Sequence, residues 1–157
     1  MTVKEANYWL MKSEPEAYSI DTLRKDGVTL WDGIRNYQAR NFMRRMAIGD
    51  KVFFYHSNCK PPGIVGLMEV TETRITDPTQ FDENSKYFDR KSKRENPRWD
   101  CVKTKYICEF ENMITLKELS ETYKPEELTL VRKGNRLSIM PINKNIALDL
   151  LKKLKKN

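Results

Sequence analysis

Three adjacent residues near the N-terminus, Lys12, Ser13 and Glu14, place an amine, a hydroxyl and a carboxyl group side by side. In an enzyme, Lys12 could act as a base toward the Ser13 hydroxyl, or Glu14 could carry a proton. The alternative is structural, because Ser13 and Glu14 can form a turn before Pro15 while Lys12 lines a polar rim. The sequence therefore allows a hydrolytic site at this position without requiring one.

The chain contains one histidine, so a Ser-His-Asp triad would have to use His56. Tyr55, His56 and Ser57 end an apolar run typical of a central strand, in which the side chain of Ser57 would point away from that of His56. His56 is therefore either a hydrogen-bonded structural residue, a contact to a ligand, or a catalytic base. Phosphate-binding loops, paired catalytic acids and the spacings of metal sites are absent from the sequence.

Flat aromatic rings beside polar residues are candidates for stacking on a planar ligand. Trp31 and Trp99 border predicted loops, whereas Trp9 lies inside a predicted strand and is expected in the core. Stacking of an aromatic side chain on a nucleobase contributes about 1–3 kcal/mol and needs no particular base sequence. Arg136 and Ser138 offer a guanidinium and a hydroxyl near a predicted turn, where we expect contact with a backbone or a phosphate.

Residues 30–41 concentrate polar groups at the start of a predicted helix. Asp32 is predicted to be its N-cap, and Gly33 would let a ligand or a neighbouring segment approach the backbone closely. Arg35 falls on the apolar side of the helix, where an unpaired guanidinium is costly to bury. We expect Arg35 to pair with an acid such as Asp32, with carbonyl oxygens or with a ligand. Asn36 lies on the polar side.

Length and composition favour one domain over residues 1–157, with an apolar core that needs no metal or disulfide. The chain is 39% hydrophobic and 32% charged, which is typical of a soluble globular protein, and no apolar run approaches a membrane span. Its three cysteines have spacings unlike those of zinc sites, and we expect no secretory signal before the first strand. We expect reduced thiols, no metal, no cofactor, no membrane partner, a monomer, and a cytoplasmic location, or a nuclear one in a eukaryote.

A net charge of +7 and a pI near 9.3 make polyanions the first partners to consider. The positive charge is divided among the first long helix, a polar loop and the C-terminal end, where Lys152, Lys153, Lys155 and Lys156 lie. Such patches suit a surface that follows a phosphate backbone, although a solvated face is the alternative for each. The candidate phosphate-binding residues are Arg40, Arg44, Arg90, Lys91, Lys93 and Arg94.

Hydrophobic alternation predicts short, mostly antiparallel strands over residues 8–12, 29–31, 51–56, 64–73, 99–110 and 136–140. A short helix is expected from a Ser19 cap to Gly27, and the long helix is expected to close at Gly49. Residues 77–98 are predicted to form a long loop with at most one helical turn, and Pro141 is expected to stop the last strand. The pattern predicts an α+β fold, an open β-barrel of five or six strands with flanking helices.

Five stretches resemble motifs of the EVE domain family, in the same order along the chain: residues 8–15, 31–41, 49–50 with 55–58, 97–99 and 135–141. Ile34 and Ile139 stand where valine is common in the family. The resemblance implies a PUA-like fold and kinship with domains that hold a modified base in an aromatic-lined pocket, with modified cytosine in DNA proposed for one member. By position, it implies a base pocket among Lys12, Ser13, Trp31, Asn36, Tyr55, His56, Ser57 and Arg136.

We add Arg35, Trp99 and Ser138 to the predicted pocket, because a guanidinium, an indole and a hydroxyl can each contact a ligand. The function hypothesis is a non-catalytic nucleic-acid-binding module, for DNA or RNA, in which Trp31 stacks on one modified base and hydroxyl and amide groups bind its edge. One alternative is a small hydrolase acting on modified nucleosides through Lys12, Ser13 and Glu14. Another is a protein-interaction module that uses the C-terminal helix.

Overall fold

The protein folds around one six-stranded mixed sheet, as seen in a computed structural model that describes residues 6–154. The strands are β1 (Tyr8–Ser13), β2 (Val28–Leu30), β3 (Lys51–His56), β4 (Gly63–Thr76), β5 (Asp100–Thr115) and β6 (Ile139–Ile142). The helices are α1 (Ile20–Asp26), α2 (Tyr37–Arg45), α3 (Leu116–Thr122) and α4 (Lys144–Leu154). Within this part of the chain, no helix is long and apolar enough to cross a membrane.

The strand order is β2-β5-β4-β3-β1-β6, and the sheet is not closed. β1 pairs with β3 in parallel, and the other neighbouring strands pair antiparallel. The α+β, mostly antiparallel architecture expected from the sequence is therefore confirmed. Gly66 lies at a register shift in β4, where an added Cβ would sit 2.7 Å from the carbonyl oxygen of Cys108. This is the close backbone approach that a glycine inside a strand indicates.

Successive residues of the central strands point to opposite faces of the sheet, and each face has its own apolar cluster. Leu10 and Phe53 pack with α3 and α4 on one face, where Leu119, Ala147 and Leu150 are fully buried. On the other face, alternate residues of β1 and β3 pack with α1 and α2 through Trp9, Met11, Phe54, Leu23 and Met43. Helices therefore cover the sheet on both sides. The polar segment of residues 32–36 directly precedes α2.

Two boundaries of the long helix differ from the sequence prediction. Its N-cap is Asn36, whose side-chain oxygen accepts a hydrogen bond from the Ala39 N–H at 2.9 Å, and not Asp32. Residues 32–36 are irregular instead, because Gly33 adopts a left-handed φ of 79° and its N–H bonds outside the helix. The helix ends at Arg45 and not at Gly49, since the next residue is already extended.

The last strand also differs from its prediction, because it contains Pro141 instead of stopping before it. β6 is an edge strand, so the missing N–H of Pro141 can face away from the sheet without breaking a ladder on both sides. β6 begins at Ile139, three residues later than predicted, and Asn143 follows it as a cap of α4 by accepting from the Asn145 N–H. Lys155 and Lys156 of the basic C-terminal end lie outside the described residues.

One buried carboxylate joins the segment after β2 to the long loop that precedes β5. The Asp77 side chain is fully buried and accepts hydrogen bonds from the Gly33 N–H at 2.8 Å and from the Arg35 guanidinium at 3.1 Å. Its other oxygen accepts from the N–H and the hydroxyl of Thr79. Arg35 therefore pairs with an acid and with carbonyl oxygens, as expected, but the acid is Asp77 and not Asp32.

Replacing Asp77 by alanine should lower the free energy of unfolding by about 3 kcal/mol, because removal leaves a partly buried guanidinium and two backbone N–H groups without their acceptor. Urea denaturation followed by circular dichroism measures the loss. Glu126→Ala, an exposed carboxylate, is the control and should leave the midpoint unchanged. An Asp77→Ala protein as stable as the parent would contradict this role.

Candidate functional site

A cavity of about 630 Å³ opens between the end of β1, the segment after β2 and the long loop. Its volume lies within the range of small-molecule sites, which spans about 300–1,000 Å³. The wall combines aromatic rings with charged and hydroxyl groups. The lining residues are Lys12, Ser13, Glu14, Ala17, Tyr18, Thr29, Leu30, Trp31, Asp32, Gly33, Ile34, Lys86 and Tyr87.

Trp31 is part of the cavity wall although only 7% of its surface is exposed. The backbone N–H of Trp31 donates to the Val102 carbonyl at 2.8 Å, which continues the pairing of β2 with β5. Its indole meets the ring of Phe54 edge to face, with centroids 5.4 Å apart. Packing in the core therefore fixes the indole. Contact between the indole and a ligand would cost little side-chain conformational entropy, because the ring is already ordered.

The cavity holds one amine and one carboxyl group that are half-buried. Burial lowers the pKa of the Lys12 amine, which lies 5.8 Å from the centroid of the Tyr55 ring. Burial raises the pKa of the Asp32 carboxyl, and the nearby charge of Asp77 raises it further, while a hydrogen bond from its own backbone N–H and the charge of Arg35 oppose the rise. Each charged form is thus disfavoured by lost hydration, and a ligand that pairs with it would offset that loss.

Two of the candidate catalytic side chains, Ser13 and His56, are hydrogen-bonded to backbone groups. The Ser13 hydroxyl donates to the Tyr18 carbonyl at 2.6 Å, so its proton is already engaged. The Nε2 atom of His56 accepts from the Ile20 N–H at 3.1 Å, and burial lowers the pKa of His56. Ser57 donates its backbone N–H to the Ser13 carbonyl. Among residues 6–154, no group of three His, Cys, Asp or Glu side chains is placed to hold a metal ion.

A stack of aromatic and guanidinium groups extends from the cavity wall to the protein surface. The Arg35 guanidinium lies 5.8 Å from the centroid of Tyr87 and 5.3 Å from that of Trp99. Trp99 stacks on Tyr37 with centroids 4.8 Å apart, and Arg40 lies 4.8 Å from the Tyr37 ring. Tyr37 is 52% exposed, so the stack ends in an aromatic face that is open to solvent.

The structure brings three of the predicted base-pocket residues into the cavity lining, namely Lys12, Ser13 and Trp31. Arg35 and Trp99 lie in the stack, Asn36 caps α2, and Tyr55 is buried in the core. His56 and Ser57 lie behind the wall, bonded to α1 and β1 respectively. Ser138 accepts from the Lys12 N–H through its carbonyl, and Arg136 is exposed outside the lining.

The predicted phosphate-binding residues fall into two groups. Arg40 and Arg44 on α2 are engaged, since Arg40 donates to the Arg98 carbonyl at 2.9 Å and Arg44 pairs with Asp100 at 2.5 Å. The exposed group belongs to the long loop that also supplies Lys86 and Tyr87 to the cavity. Its members are Arg90, Lys91, Lys93 and Arg94.

Sequence reasoning missed several lining residues, and it misjudged Asp32. Lys86 and Tyr87 lie far from β1 in the sequence, and only the fold of the long loop brings them to it, whereas Tyr18 lies in the turn between β1 and α1. A signal existed for Tyr87, because a Cβ on Gly33 would lie 2.6 Å from its ring and only glycine leaves that space. Asp32 was expected to cap a helix, and instead it lines the cavity.

Comparison with known proteins identifies relatives over most of the chain. Thymocyte nuclear protein 1 from Homo sapiens is 40% identical over 155 residues, covering 87% of this chain and 69% of the relative. A crystal structure of human THYN1 in complex with 5-methylcytosine-containing DNA superposes with a TM-score of 0.88 at 38% identity, covering 97% of this chain and 99% of that one. A protein from Pseudomonas syringae gives a TM-score of 0.88 at 45% identity over 93% of this chain and 99% of that one.

A more distant likeness concerns the fold alone. A YTH domain from Zygosaccharomyces rouxii superposes with a TM-score of 0.55 at 14% identity, covering 99% of this chain and 91% of that domain. Together with the open sheet and the human structure, this likeness confirms the PUA-like architecture. The family model of the EVE domain matches residues 7–153. The chain belongs to the EVE domain family.

Proposed function

We propose that this protein binds nucleic acid and holds one modified base in the cavity beside Trp31. The observation that carries the proposal is the human relative, which shares the fold at 38% identity and has been crystallised with 5-methylcytosine-containing DNA. A base bound here would contact a fixed indole and the rings of Tyr18 and Tyr87. Its polar edge would meet the hydroxyl oxygen of Ser13, which is free to accept, and the amine of Lys12.

The base must leave its stack to enter such a cavity. Extrusion from a duplex costs a few kcal/mol, and less for a base that is unpaired or weakly paired. Stacking on aromatic rings and contacts to phosphates can supply this free energy. The exposed face of Tyr37, backed by Trp99 and Arg40, offers a second stacking surface outside the cavity. The modified base is a modified cytosine in this proposal.

The bound base leaves chemically unchanged, because the protein acts as a reader and not as a hydrolase. Ser13 donates its proton to a carbonyl, and His56 accepts from a backbone N–H, so neither is arranged to activate a nucleophile. Lys12 is placed to donate to a ligand. We propose a monomer that acts in the cytoplasm, or in the nucleus of a eukaryotic cell, and the name of the human relative supports the nuclear alternative.

Filling the cavity should abolish selection of the modified base while sparing general affinity for DNA. Ala17 lines the cavity and is exposed, so Ala17→Trp adds bulk there without disturbing the core. The parent should bind an oligonucleotide with one 5-methylcytosine about fourfold more tightly than its unmethylated twin, since one buried methyl contributes about 0.8 kcal/mol. In Ala17→Trp this ratio should fall to about one.

Fluorescence anisotropy with both oligonucleotides measures these ratios, and Ala17→Ser serves as the control that keeps the cavity open. A parent protein that binds both oligonucleotides equally would overturn the selection of a modified base. An Ala17→Trp variant that retains the parent's ratio would place the selecting site elsewhere.

The exposed basic loop should contribute the salt-dependent part of the affinity. Replacing Arg90, Lys91, Lys93 and Arg94 together by glutamine should weaken binding and flatten the plot of log affinity against log salt. Each lost phosphate contact reduces the slope by about 0.9 for duplex DNA. Titrations between low and moderate salt concentrations measure the slope.

The matched control removes four other exposed cations, and it should leave the slope close to that of the parent. These residues are Lys117, Lys124, Arg132 and Lys133. Equal losses in the two quadruple variants would mean that affinity follows net charge, and that the loop has no particular role.

A further inference from the structure

Asp32 has no structural task in the fold. The cap of α2 is Asn36, and the carboxylate that pairs with Arg35 belongs to Asp77. Within residues 6–154, no other residue donates a hydrogen bond to the Asp32 carboxylate or forms an ion pair with it. The donor that remains is the backbone N–H of Asp32 itself, and one such bond leaves most of the acceptor capacity of a half-buried carboxylate unused. The cavity is where a further donor would come from.

The position of Asp32 in the cavity defines what kind of group could meet it. Asp32 lies in the lining between Trp31 and Gly33, next to the wall proposed to contact the base. As an acceptor, it requires an N–H on the ligand edge. The second half-buried charge in the cavity, the Lys12 amine, can only donate and requires a carbonyl oxygen. The cavity therefore offers one ligand a hydrogen-bond acceptor, Asp32, and a hydrogen-bond donor, Lys12.

Pyrimidine bases differ in how well they fit this pair. The edge of cytosine carries an exocyclic amino group at one end and a carbonyl oxygen at the other, and thymine and uracil carry carbonyl oxygens at both ends. A carboxylate facing a carbonyl oxygen leaves two acceptors in contact, and such a mismatch is penalised more strongly than the loss of an apolar contact. The pair of charges thus discriminates on the amino group, and a 5-methyl group plays no part in it.

We propose that Asp32 accepts a hydrogen bond from the exocyclic amino group of the bound base while Lys12 donates to its carbonyl, so that the cavity takes amino-bearing pyrimidines and rejects thymine and uracil. This inference rests on the proposed function, because it assumes a base in the cavity. It adds a residue that determines specificity and states which bases are excluded. Asp77 keeps this residue free by engaging Arg35.

The test compares two single-stranded oligonucleotides that differ at one position, 5-methylcytosine in one and thymine in the other. Both bases carry the same methyl group, so their affinity ratio reports the hydrogen-bonding edge, where they differ in the exocyclic group and in the proton on N3. The parent should favour 5-methylcytosine by at least about tenfold. In Asp32→Asn the ratio should approach one, because an amide can donate to thymine as well as accept from cytosine.

Two further variants complete the comparison. Glu83→Gln removes one exposed carboxylate from the long loop and should keep the parent's ratio, which separates hydrogen bonding from the change in net charge. Asp32→Ala removes the acceptor without adding a donor and should also lose the preference. It serves as the second measurement if Asp32→Asn does not fold.

The possible failures can be told apart. Asp32 variants that keep a tenfold preference for 5-methylcytosine would overturn this inference and leave the proposed function standing. The same holds if the parent binds both oligonucleotides with equal affinity but still prefers methylated to unmethylated cytosine. A parent that binds no oligonucleotide would overturn the proposed function, and the role of Asp32 with it.

Discussion

The site depends on one buried carboxylate. Asp77 holds the left-handed turn at Gly33 and the guanidinium of Arg35, and so it ties the segment after β2 to the loop before β5. Both segments supply cavity walls, and neither forms regular secondary structure there. Arg35 also donates to the Tyr87 carbonyl with two of its nitrogens, which fixes the position of that ring. A single charge-assisted network thus replaces the ladder hydrogen bonds that irregular segments lack.

Because of the same network, residues of the same type have different roles. Arg35 is committed to structure between two aromatic rings, and the arginines and lysines of the long loop remain exposed for contact with phosphates. Asp77 satisfies Arg35, and this leaves Asp32 open to the cavity. Burial of Trp31 and Trp99 fixes their rings. The exposed ring of Tyr37 is held in turn by stacking on Trp99. Rigid elements therefore support a site built mainly from loops.

The strands and caps were predictable because local chemistry determines them. Apolar runs and alternation identified β1, β3 and β4, and Ser19 with Gly27 identified the limits of α1. The start of α2 was misplaced because Asp32 and Asn36 are both good caps. Asp77 decides between them by accepting from the Gly33 N–H, 44 residues away in sequence. Tyr87 and Lys86 could not be predicted as lining residues because contacts distant in the sequence also bring them to the cavity. Long-range hydrogen bonds, and not propensities, assemble this cavity.

In the proposed mode of binding, one base lies against the Trp31 wall, with its edge toward Lys12 and Asp32. Membership of the EVE domain family and the likeness to human THYN1 make nucleic acid the ligand to test first. The most direct measurement is a crystal structure of this protein with an oligonucleotide that carries a single 5-methylcytosine. We predict electron density for that base, turned out of the strand, in the cavity lined by Trp31, Tyr18 and Tyr87. Density for the oligonucleotide elsewhere on the surface, with this cavity holding only water, would contradict the account.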